Sequence, residues 1–178
     1  MTDIKIENVV ASTQIAESLD LNKLAEVIPN SRYNPEEIPA LIIHFEKPKT
    51  VAMLFSNGKV VFTGPKTMKD AHEITESIGE KLNLVGVKAY KKPDIQIQNI
   101  VASTGIKKNL NLHSIASSLE KVEYDPEYFP GLIYKSDDPN TVILLFDSGK
   151  IVCNGTESEE ISTAIDRMTN ELSSLGIL

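Results

Sequence analysis

The chain repeats itself at a fixed spacing, and this limits the folds open to it more than any other feature. "IENVVAST" at Ile6–Thr13 returns as "IQNIVAST" at Ile97–Thr104, so Asn8 matches Asn99 at an offset of 91. The offset persists where "YNPEEIPALI", starting at Tyr33, meets "YDPEYFPGLI", starting at Tyr124. It holds again where Phe55, Lys59 and Gly64 meet Phe146, Lys150 and Gly155. Beyond Gly155 the best match shifts to an offset of 90, with "LVGV" against "SLGI", which implies a one-residue deletion at the start of the last helix. Long self-similarity in one order means one structural unit built twice. Repeats are expected over residues 1–89 and 90–178, together forming a single domain.

Within a unit the periods read strand, short helix, a run of strands, then a long helix. Residues Ile4 to Ser12 alternate as a strand, and "LDLNKLAEVI" carries Leu21, Leu24, Val27 and Ile28 at helical spacing with Asp20 as cap. Pro29 and Pro35 confine that helix to two or three turns. "ALIIHFE", "TVAMLF" and "KVVFTG" follow as strands separated by "KPK" and "SNG". The closing helix carries Met68, Ala71, Ile74, Ile78, Leu82 and Val85 along one stripe, and its copy carries Ile161, Ala164, Ile165, Met168, Leu172 and Leu175. No flexible linker joins the units beyond the charged "KAYKKPD". The expected fold class is α+β: one antiparallel sheet, helices on one side, and a pseudo-twofold axis.

Such a sheet packs one face on helices and normally alternates polar residues on the other. This one does not. In "VAMLFSNGKVVFTG" one parity holds Met53, Phe55, Val61 and Thr63, the other Ala52, Leu54, Val60 and Phe62, and neither is hydrophilic. "VILLFDSGKIVCNG" sets Leu144, Phe146 and Val152 against Ile143, Leu145, Ile151 and Cys153. A large apolar sheet face therefore lacks an internal partner, which marks a binding surface. A protein partner, a second copy of the chain, or a broad flat ligand would each cover it.

Charge and cysteine usage narrow the classes. The net charge of −7 opposes a partner held mainly through phosphates. Residues 1–89 hold ten Lys/Arg against twelve Asp/Glu, and residues 90–178 hold eight against thirteen. The lone Cys153 allows no internal disulfide, and the scattered histidines offer neither a metal site nor a catalytic constellation. No cofactor and no catalysis are expected. Without a leader or an apolar run of membrane length, the expectation is a soluble, intracellular protein with no membrane partner.

"IENVVAST"/"IQNIVAST", "YDPEYFPGLIY", "LLFDSGKIV" and "LFSNGKVVFTG" together resemble the direct repeats of the TATA-box-binding protein family in its bare two-repeat, archaeal form, across essentially the whole chain. The resemblance implies a saddle: one curved antiparallel sheet, with its helices on the convex side, seated in a widened minor groove of double-stranded TATA-box DNA, which it bends. It implies an archaeal-type cell, whose DNA lies in cytoplasm or nucleoid. The chemistry suits the residues, because A·T and T·A show nearly the same acceptors in the minor groove, so a reader there needs shape more than polar side chains. An apolar face also rejects G·C, since burying the guanine amino group unpaired costs on the order of 1–3 kcal/mol.

By resemblance, Phe55 and Phe146 are wedges beside the turns and Phe129, before Pro130, is an outer wedge. The fourth position holds Ile38 before Pro39 where the family usually has Phe, which implies a shallower or aliphatic kink. Asn8 and Asn99 match paired asparagines that bond bases near the dyad; Val10, Val101, Met53, Leu144, Val61 and Val152 match groove contacts. Thr63 matches a base-contacting threonine, whereas its counterpart is Asn154. Lys49, Lys59, Lys135 and Lys150 stand at phosphate-contacting positions, and His44 replaces a usual Arg, implying a weaker electrostatic grip there.

In the acidic "EYDPEYFP", Asp125, Glu127 and Tyr128 match the loop gripped by transcription factor B, through which RNA polymerase is reached. The resemblance therefore implies a general transcription initiation factor. The alternative is a duplicated scaffold whose apolar sheet binds a protein or its own copy, and a homodimer is expected of the free protein through the same face.

Overall fold

A computed structural model describes residues 3–136 and 141–178. The chain forms strands β1 (Lys5–Gln14), β2 (Ser31–Tyr33), β3 (Ala40–Glu46), β4 (Lys49–Phe55) and β5 (Lys59–Thr63), with helix α1 (Leu21–Val27) after β1 and α2 (Met68–Leu84) after β5. It then repeats the order with β6 (Ile95–Gly105), α3 (Leu112–Ser118), β7 (Val122–Glu123), β8 (Leu132–Lys135), β9 (Val142–Leu145), β10 (Lys150–Gly155) and α4 (Ser158–Ser174). Two compact units result: a first of Asn8–Gln98, and a second of Asn99–Leu178 with the chain through Glu7.

In the first unit the antiparallel order is β2-β3-β4-β5-β1. The period-2 alternation of its strands separates two faces cleanly. Leu41, Ile43, Ala52, Leu54, Val60 and Phe62 are buried, and so are Ala71, Ile74, Ile78 and Leu82 of α2. Each large side chain removed from water contributes roughly 1.5–3 kcal/mol. Thr67 starts α2 by accepting a hydrogen bond from the Asp70 amide at 3.1 Å. Asp20 caps α1 in the same way, accepting from the Lys23 amide at 3.2 Å. That helix ends at Val27, just before Pro29.

The second unit repeats the scheme in the order β6-β10-β9-β8-β7. Ile143, Leu145, Ile151 and Cys153 are buried with Ile161, Ala164, Ile165, Met168 and Leu172 of α4. The helix approaches its strand closely at Gly155, where a Cβ would lie 2.8 Å from Ile161 Cγ1. The expected deletion is visible here. Pro65 and Lys66 separate Gly64 from the cap Thr67, but only Thr156 separates Gly155 from the cap Glu157. Glu157 makes no side-chain cap bond, so the shorter turn has lost a stabilising contact along with its residue. Met68 and Leu175, expected in the apolar stripes, are instead about half exposed, because they lie at helix ends, past the covered core.

Both hairpins depend on a glycine. Gly58 and Gly149 adopt φ +82 and +83, and a Cβ would lie 1.9 Å from the Ala16 carbonyl oxygen and 2.2 Å from that of Ile106. Only glycine combines that backbone with that approach. Gly58→Ala or Gly149→Ala should each cost well over about 1 kcal/mol in urea unfolding. Cys153 is fully buried, and burial pushes its thiol from 9.0 up to about 12. The neutral thiol is thus favoured by the folded state: its stabilising contribution is complete below pH 9 and is lost as pH rises toward about 12. Native protein at pH 8 should resist alkylation by iodoacetamide, while urea-unfolded protein reacts at the rate of a free thiol.

Candidate nucleic-acid interface

The parity left uncovered by helices carries most of the residues that the sequence singles out. In the first unit the register aligns His44, Val51, Thr63 and Val10 across four strands, and Ile42, Met53 and Val61 in the next row. In the second unit the equivalent rows are Lys135, Val142, Asn154 and Val101, then Ile133, Leu144 and Val152. Val10, Met53, Val61, Val101, Leu144 and Val152 are all half-buried. The second row of each unit is apolar up to Ser12 or Ser103 at its β1 or β6 end, and the first row sets two valines among His44 and Thr63 or Lys135 and Asn154.

Polar groups enter at few points. Asn8 stands two residues before Val10 on the same face and donates from Nδ2 to Thr63 Oγ1 at 2.9 Å. The Thr63 hydroxyl lies 3.3 Å from Asn8 Oδ1, so the two side chains close on one another. An amide within an apolar strand needs such a partner. Asn99 and Asn154 hold the equivalent places in the second unit. Among the described residues no side-chain hydrogen bond ties either of them, and Asn154 is exposed.

The wedge positions differ between units in a coupled way. Phe129 meets Phe146 edge to face, with ring centroids 6.0 Å apart and planes at 66°. Gly131 makes room for them, since a Cβ there would lie 2.7 Å from the Phe129 ring and 3.1 Å from that of Phe146. In the first unit Phe55 faces Ala40 across the ladder, and Ala40 occupies Gly131's place. The smaller Ile38, 39% exposed, goes with the larger Ala40, and the larger Phe129 with glycine. The loss of the fourth aromatic is therefore one half of a compensated exchange. The small-residue position two after each wedge was the signal that could have disclosed it. Pro39 and Pro130 are exposed between these partners.

The cations ring the same parity. Lys49 alternates with Val51 and Met53, Lys59 with Val61 and Thr63, and Lys150 with Val152 and Asn154, and all three are exposed. Exposed His44 and Lys135 occupy the β3 and β8 ends of matching rows. Lys135 is paired with Glu123 of β7, a contact between strands that sequence spacing did not signal. Arg32 holds Glu123's place in the first unit and pairs with Glu37 at 2.7 Å. The matching strands β2 and β7 thus carry opposite charges. In the second unit the helix carboxylates Glu157, Glu159 and Glu160 sit at the start of α4, whose buried face packs on β10.

The acidic loop between β7 and β8 is a tight turn. The Asp125 backbone carbonyl accepts from the Tyr128 and Phe129 amides at 3.1 and 2.9 Å, and its Oδ1 accepts from the Glu127 amide at 3.1 Å. Tyr128 is left 91% exposed. Among the described residues no group of His, Cys, Asp and Glu is arranged to hold a metal, and no helix is long and apolar enough to cross a membrane.

Each unit of this duplicated α+β protein thus presents a sheet face bearing valines and edged by cations. A family model, described as transcription factor TFIID or TATA-binding protein, matches residues 3–85 and again 94–175. The chain is 45% identical to the TATA-box-binding protein of Archaeoglobus fulgidus over 98% of its own length and 97% of that relative. It is 44% identical to the protein of the same name from Pyrococcus furiosus, over 98% and 92%. A solved structure described as Methanococcus jannaschii TBP superposes with a TM-score of 0.90 at 38% identity, covering 97% of this chain and 99% of that one. The chain belongs to the TATA-binding protein family. The family description is of a transcription factor and not of a catalyst, and the α+β fold expected from the sequence is the fold of that archaeal structure.

The Phe129–Gly131 coupling is open to a mutant cycle. Gly131→Ala should cost about 1–3 kcal/mol by overpacking. Adding Phe129→Ile, which rebuilds the first unit's pair, should recover most of that loss in urea unfolding, and strict additivity would show that the two sites are independent.

Proposed function

We propose that this chain is a general transcription initiation factor that binds TATA-type duplex DNA in the minor groove, bends it, and recruits transcription factor B and, through it, RNA polymerase. The observation that carries the reading is the uncovered face itself: the same mostly apolar pair of rows in each unit, bordered by cations of the same strand parity. A groove floor that presents only A·T acceptors matches such a face, because few donors need partners. Phe55, Phe146 and Phe129 press against base steps as wedges, with Ile38 and Pro39 opposing the remaining step. Lys49, Lys59 and Lys150 contact phosphates, Lys135 does so against competition from Glu123, and His44 meets the backbone without the bidentate fork an Arg would offer. The loop bearing Asp125, Glu127 and exposed Tyr128 receives transcription factor B. Without DNA, two copies cover their apolar faces with each other.

The test compares a TATA-containing duplex with a G·C-substituted one across a salt series, reading affinity and bend. Tight, bent binding of the TATA duplex alone is expected, with a log–log salt slope well below that of ten phosphate contacts. Phe55→Ala and Phe146→Ala should each abolish bending with the fold intact. Equal binding of both duplexes, or wedge variants that still bend DNA, would favour a protein-binding scaffold. Reading the acidic loop separately, Tyr128→Ala should reduce ternary complex formation with transcription factor B by about tenfold or more at unchanged DNA affinity.

A further inference from the structure

We infer that Asn154 makes the second unit tolerant of a G·C pair at the base step it faces, whereas Thr63 restricts the equivalent step of the first unit to A·T; this rests on the minor-groove reading proposed above. In the first unit Thr63 and Asn8 engage each other, with Nδ2 to Oγ1 at 2.9 Å and Oγ1 to Oδ1 at 3.3 Å. A guanine amino group there has to share an oxygen already engaged in that pair or break the pair. Asn154 replaces the hydroxyl with a primary amide. It occupies the row between Val142 and Val101, is exposed, and no side-chain hydrogen bond holds it among the described residues.

A free amide presents two N–H donors on one side and a carbonyl acceptor on the other. Half a turn about its terminal torsion exchanges them. With the donors toward the groove it serves adenine N3 or thymine O2; with Oδ1 toward the groove it accepts from guanine N2, the one minor-groove group that separates G·C from A·T. Val101 and Val142 on either side cannot supply that acceptor. The two units therefore read their equivalent steps by different rules, although their apolar rows are alike.

The experiment scans single A·T→G·C replacements through a bound TATA duplex and measures the affinity ratio to the parent duplex. Most positions should lose about 5- to 150-fold, the cost of an unpaired amino group. One position should lose less than about 3-fold. In Asn154→Thr that position should regain the full penalty, and in Thr63→Asn a second tolerant position should appear. Replacing guanine by inosine, which lacks the amino group, should remove the difference between wild type and Asn154→Thr. Uniform penalties in the wild type, or tolerance unchanged by Asn154→Thr, would overturn the inference while leaving the minor-groove reading standing. Failure to bind the parent duplex would overturn that reading and the inference together.

Discussion

The structure depends on burying alternate strand residues under two long helices. In each unit the strand residues of one parity are buried along with the inward stripe of α2 or α4, while valines, leucines and methionine of the other parity stay only half-buried. Polar residues on the second parity would leave a stable sheet with a wetted face and no further role. Here Met53, Val61, Leu144 and Val152 occupy it, so the interaction that folds each unit also displays a second apolar surface of matched register. The family's role follows from that surplus, since a groove with few donors and a sequence-dependent shape is read by fit.

The acidic balance of the chain is compatible with this arrangement because charge is distributed by parity as well as by sequence. Lys49, Lys59 and Lys150 fall on the open parity of their strands. Glu159 and Glu160 fall in the first turn of α4, where they also favour the helix dipole. Net charge describes the whole molecule, whereas a partner docked on one face meets the charges of that face. The opposition between Arg32 with Glu37 and Glu123 with Lys135 shows that duplication did not keep the halves electrostatically equal.

Divergence after duplication has been coupled, not scattered. The smaller Ile38 goes with the larger Ala40, and the larger Phe129 with Gly131 beside Phe146. Thr63 with Asn8 and Asn154 with Asn99 replace a closed hydroxyl–amide pair by two amides. The first exchange concerns shape and the second hydrogen-bonding capacity, the two means by which a minor groove is distinguished.

Reading along the chain was enough for the duplication, the antiparallel hairpins, the glycine turns, the cap at Asp20 and the presence of a second apolar parity. All of these are local: they arise from period, propensity and spacing within a few residues. The positions to which the resemblance assigns wedges and paired asparagines also stand in repeated motifs. Only the tertiary structure decided which parity stays open, that Asn8 is held by Thr63 across 55 residues, that Glu123 occupies Lys135, and that Gly131 makes room for two aromatic rings. Those outcomes depend on strand register and helix placement, which bring together residues distant in the chain and which no window of sequence contains.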